Sequence, residues 1–110
     1  MDVFTTRPIE EIDELTFKNV KVNREIEVSL HAIDHLSAQQ RKVFKEEELI
    51  HMLERETPRK IYLQANGRYS VYYRKEDGYR HLVLEIEDKK IIIVTFIDTL
   101  ELPKIRIDDG

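Results

Sequence analysis

The stretch from Arg59 to Asp98 constrains this chain most, because it alternates like four consecutive strands. The expected strands are Arg59 to Ala65, Arg68 to Arg74, Tyr79 to Glu87 and Lys90 to Asp98. They are rich in Ile, Val, Tyr and Phe, which fit a pleated, half-buried surface. Short turn signals separate them: Asn66-Gly67, Glu76-Asp77-Gly78 and Glu87-Asp88-Lys89. Asn-Gly and Asp-Gly supply the positive φ that tight hairpin turns need. Connections this short join antiparallel neighbours, so the stretch predicts a four-stranded antiparallel meander.

The residues before it read as mostly helical. Residues 1–16 form an acidic lead-in, where Thr6 caps a helical turn with Pro8 near its start and Ile9, Ile12 and Leu15 on one side. Phe17 to Val22 is read as extended, Asn23-Arg24 as a turn and Glu25 to Val28 as a short strand. Ser29 suits the N-cap of a helix through Leu36. A second helix is expected from Lys45 to Arg55, with Leu49, Ile50, Met52 and Leu53 on its core face. Glu46, Glu47 and Glu48 suit its first turn, and Thr57-Pro58 ends it. Lys104 to Ile107 alternates like a short edge strand. The expected fold is α+β in a single domain of residues 1–110. Two or three N-terminal helices, within residues 17–57, pack on one face of the sheet at 59–98, and 99–110 form a tail. A chain of 110 residues buries about two-thirds of its unfolded surface, enough for one core.

Strand parity assigns the faces. Ile61, Leu63, Tyr69, Val71, Tyr73, Leu82, Leu84, Ile86, Ile92, Val94 and Phe96 are expected against the helices. The opposite face then carries Tyr62, Gln64, Ser70, Tyr72, Arg74, His81, Val83, Glu85, Ile91, Ile93, Thr95 and Ile97. A solvated face does not hold Ile91, Ile93 and Ile97 together, so either the tail or a second copy in a homodimer should cover it.

Charge and composition exclude several classes. Cysteine is absent, which rules out disulfides and thiolate metal sites and suits a cytoplasmic protein. No apolar run approaches a membrane span, and no signal-peptide pattern is present. The net charge of −4 argues against nonspecific coating of nucleic acid. Yet residues 58–81 carry six basic and two acidic side chains, a local excess suited to an anion.

Several side chains are candidates for chemistry. His31 and His35 share one helix face, but zinc needs a third ligand, and Asp34, His51 and His81 are not distinguished by spacing. Surface histidines are the commoner outcome, so no metal and no cofactor are expected. His31 also falls in a first helical turn, where acid–base work or phosphate binding is favoured. Tyr62, Tyr72, Arg74 and His81 share the mixed face, where aromatic and basic side chains can stack a base and hold a phosphate. Arg68, Lys75 and Arg80 complete the basic stretch. Tyrosine is also simply a good strand residue.

The order of elements, with Ser29-Leu-His-Ala-Ile-Asp-His35, the helix Glu46 to Leu53, Gly67-Arg68-Tyr69, the strand Tyr79 to Ile86 and Ile93-Val-Thr-Phe96, resembles an uncharacterised branch of the RelE-like toxin superfamily. The resemblance covers roughly residues 26–98. It implies two N-terminal helices on an antiparallel sheet, and either a metal-independent endoribonuclease or a toxin-like RNA-binding relative. It also implies RNA and an antitoxin-like protein as partners. By position, His31 belongs to its Ser-x-His-Ala motif and Thr95 to its last strand. The expected catalytic set is His31, Tyr72, Arg74 and His81, and the expected RNA contacts are Tyr62, Arg68, Arg74, Lys75 and Arg80. The alternative is a non-catalytic domain that uses the mixed face for self-association or partner binding.

Overall fold

Alternation from Lys60 onward does produce four strands in sequence, but they are the middle of a larger sheet. A computed structural model describes residues 6–29 and 46–105. In chain order the elements are β1 (Pro8–Glu11), α1 (Glu14–Lys21), β2 (Glu25–Val28), α2 (Glu46–Arg55), β3 (Lys60–Gln64), β4 (Tyr69–Lys75), β5 (Gly78–Ile86) and β6 (Lys90–Thr99). They build one six-stranded sheet in the order β1-β3-β4-β5-β6-β2. Neighbours are antiparallel except β2, which runs parallel to β6 through pairs such as Ile26 with Ile91 and Val28 with Ile93.

The four-stranded meander is therefore corrected to a mixed six-stranded sheet with two helices among the described residues. The helix expected after Ser29 lies outside those residues. Pro8–Glu11 is a strand, not a helical turn, because it finds tertiary partners. Glu11 pairs with Tyr62, Ile12 N–H donates to Ile61 O and Ala65 N–H donates to Arg7 O. Phe17 to Val22 is not extended: α1 takes in Phe17 through Lys21. The Asp13 side chain caps it by accepting from Thr16 N–H at 2.7 Å, with Glu14 in its first turn and Lys18 and Lys21 in its last. Residues 17–57 thus hold a strand as well as helices. Lys104 and Ile105 form no strand, and residues 106–107 lie outside the described residues.

Gly78 begins β5 opposite Lys75, so the turn itself is Glu76-Asp77. It has φ +141°, and a Cβ there would stand 2.3 Å from Thr99 O, so only glycine lets β6 close on this end.

The core lies between the helices and one face of the sheet. Phe17, Leu49 and Leu53 meet Val71, Tyr73, Leu82, Leu84, Ile91 and Ile93, all fully buried. The last two correct the parity assignment. Val83 opposes Thr95 but Leu84 opposes Ile93, which leaves Val94 as the extra residue of a β-bulge. The bulge turns Ile91 and Ile93 into the core and Ile92 away from it. Of the three isoleucines that called for a second copy, Ile91 and Ile93 are therefore core surface, and Ile97 stays exposed on the opposite face.

Candidate functional site

The face turned away from the helices carries Lys60, Tyr62 and Gln64 from β3, Ser70, Tyr72 and Arg74 from β4, and Tyr79, His81 and Val83 from β5. Such a face is usually wet, yet Tyr62, Gln64, Ser70 and Tyr72 are each less than 10% exposed. A cleft of about 430 Å³ opens over it. Its floor is Gln64, Ser70, Tyr72, His81, Val83 and Thr95. Thr6 and Pro8 stand at one side, Asn66 and Arg68 come from the β3–β4 turn, and Ile105 reaches in from the tail.

Cross-strand register builds the floor. Tyr72 and His81 are direct partners, and their rings stack with centroids 4.2 Å apart and planes 9° from parallel. Tyr62 meets Tyr72 edge-on at 6.3 Å. His81 Nε2 is hydrogen-bonded to Ser70 Oγ, diagonally across the same two strands. Burial pushes the His81 imidazole down to about 4, so it is neutral at pH 7. Burial also raises the Tyr72 phenol, which contact with Ser70 partly offsets. Gln64 Oε1 is buried without a hydrogen-bond partner.

Cations around the sheet fall into two groups. Lys60 is paired with Glu11 at 2.9 Å. Lys75 and Arg80 lie on the helix side of the sheet, both tied to Asp98, at 3.0 and 2.8 Å. Arg74 is exposed on the cleft side, its guanidinium 5.1 Å from the centre of the Tyr79 ring, and does not line the cleft. Arg68 lines the cleft, and neither it nor Arg7 has an ion pair among the described residues.

The structure thus brings Tyr72, His81 and Arg68 together, sets Tyr62 behind Tyr72, and separates Lys75 and Arg80 from them. His31 and His35 lie outside the described residues. Among the described residues, no three His, Asp or Glu side chains are placed to hold a metal. None of the described helices is long and apolar enough to cross a membrane. Sequence reasoning put Gln64 and Ser70 on this face but gave them no role. Their signal was polarity at positions a strand would otherwise give to apolar or exposed side chains. Compared with protein-family models, curated proteins and solved structures, the chain matches none.

Proposed function

We propose that the protein binds single-stranded RNA, with one nucleotide seated in the cleft and its phosphate held by Arg68. The observation that carries this reading is the unpaired Arg68 guanidinium at the cleft, on a sheet whose Lys60, Lys75 and Arg80 are all engaged by carboxylates. A cation left without a partner beside aromatic side chains suits a ligand that is anionic at one end and planar at the other. A volume of about 430 Å³ is in the range of small-ligand sites and holds one nucleotide.

Among the described residues, the cleft suits binding better than cleavage. A general base must take up a proton, and burial opposes that at His81. A general acid must release one, and burial opposes that at Tyr72. The Ser70–His81–Tyr72 group is a neutral, cross-linked floor. The homodimer has lost its basis, since Ile91 and Ile93 are core. For the antitoxin-like partner that the RelE-like resemblance implies, Ile97, on the cleft side and 54% exposed, is an apolar anchor. A cytoplasmic setting goes with an RNA ligand and a chain free of cysteine.

Fluorescence anisotropy with a labelled eight-nucleotide RNA of mixed sequence at low salt tests this. The wild type should bind and leave the RNA intact. Arg68→Glu should weaken binding roughly tenfold, whereas Lys75→Gln on the other face should leave it unchanged. No binding by the wild type, or equal loss in both variants, would overturn the proposal.

A further inference from the structure

Gln64 closes β3, and its backbone is tied to the turn that carries Arg68. Its N–H donates to Arg68 O at 2.8 Å, its O accepts from Gly67 N–H at 3.0 Å, and Arg68 N–H donates to Asn66 Oδ1 at 2.9 Å. On its other flank Pro8 opposes it in the ladder. The Gln64 side chain thus joins the cleft floor at a fixed place beside Arg68, which also lines the cleft.

Hydrogen bonding on that floor is uneven. Ser70 Oγ and His81 Nε2 are bonded to each other. Gln64 is 7% exposed, and its Oε1 is closed off from solvent without a partner. An enclosed acceptor that lacks a donor costs stability, and a leucine in the same place would carry no such cost. An acceptor in this state on the floor of a cleft is the complement of a ligand that brings an N–H. Because Oε1 is set back from the surface, that N–H has to project from the ligand's ring.

We infer that Gln64 reads the base, its Oε1 accepting a hydrogen bond from an exocyclic amino group, so that the cleft selects amino-bearing bases over uracil. This rests on the cleft being the RNA site. Cytosine and uracil isolate the effect, because they are of one size and differ chiefly at C4, where cytosine carries an amine and uracil an oxygen. Cytosine supplies the donor that Oε1 lacks. Uracil sets a second acceptor against it and leaves it unpaired. Sites that hydrogen-bond a ligand group reject analogues without that group in just this way.

Fluorescence anisotropy with labelled octacytidylate and octauridylate at low salt tests this. The wild type should bind octacytidylate roughly tenfold more tightly than octauridylate. Gln64→Leu should lose that preference, weakening on octacytidylate far more than on octauridylate, and Gln64→Met, which keeps the side-chain length, should do the same. Arg68→Glu should weaken both oligomers alike and keep the preference. The urea midpoint of Gln64→Leu should be no lower than that of the wild type, since Oε1 gives up no partner. Equal binding of the two oligomers by the wild type, a preference for octauridylate, or a preference that survives in both Gln64 variants would overturn the reading of the base while leaving the RNA site standing. An equal loss on both oligomers with a lowered urea midpoint would make Gln64 structural and overturn it as well. If the wild type binds neither oligomer, the site itself fails and the base reading with it.

Discussion

The two faces of this sheet are made by the same strands and solve burial in opposite ways. On the helix side, Val71, Leu82, Leu84, Ile91 and Ile93 pack against Phe17, Leu49 and Leu53, and the cations near the rim are neutralised by Asp98. On the cleft side the buried groups are Tyr62, Gln64, Ser70 and Tyr72, and Arg68 has no ion pair among the described residues. The first arrangement lowers free energy by removing apolar surface from water. The second desolvates polar groups, which costs stability unless each finds a partner. Gln64 Oε1 finds none. The helix side also buries one such atom, Tyr73 Oη, but there it is enclosed in the core and not beside a cleft.

The largest expected break in the comparison comes at the bulge. Ile93→Lys places an ammonium in the core and should cost more than about 4 kcal/mol, a large part of the roughly 5–15 kcal/mol that holds a domain folded. Ile92→Lys, one residue away but on the cleft side, should cost less than about 1 kcal/mol. Urea denaturation of both variants checks this, and an Ile92 variant the less stable of the two would remove the bulge.

A smaller effect sharpens the cleft side. The folded protein holds His81 neutral down to about pH 4, while the unfolded chain protonates it near its ordinary value of 6.5. The unfolded state therefore binds more protons between these values, and stability falls as pH drops from about 6.5 to 4. The contribution of this group is at most roughly 3 kcal/mol. Chemical denaturation at several pH values should show the decline, and His81→Gln should flatten it over that window.

The smallest effect is on the helix side. Asp98 is held below the usual carboxylate range, first by the hydrogen bond from Arg80 and also by that from Lys75, against partial burial. The cluster is partly solvated, so Asp98→Asn should cost about 1 kcal/mol in urea, and less at high salt.

Much of this fold was legible in local sequence, and its failures have identifiable causes. The strands from Lys60 to Thr99 could be placed because alternation and the glycine turns agree there. β1 could not, because Pro8, Ile9, Ile12 and Leu15 are spaced as on a helix and only β3 makes Pro8–Glu11 a strand. The bulge was invisible because Ile91, Ile92, Ile93 and Val94 are apolar at every position, so parity has nothing to read. For the site, parity was enough to join Tyr72 with His81. The Ser70–His81 hydrogen bond depends on exact register, and the difference between Arg68 and Arg80 depends on where Asp98 lies. Neither is a local property.

The cleft's construction also bears on the order in which the molecule assembles. Its floor belongs to β3 through β6, hairpins whose strands are near neighbours in sequence and form with short loop closures. Its sides come from Thr6, Pro8 and Ile105, which must be brought across dozens of residues or from beyond the last strand. Closing longer loops costs more entropy and is repaid only after the sheet exists. The side of the cleft built from Thr6 and Pro8 is therefore expected to be completed last. A ligand that touched both sides would act as a late clasp, slowing the release of Thr6, Pro8 and Ile105 before it slows unfolding of the strands beneath.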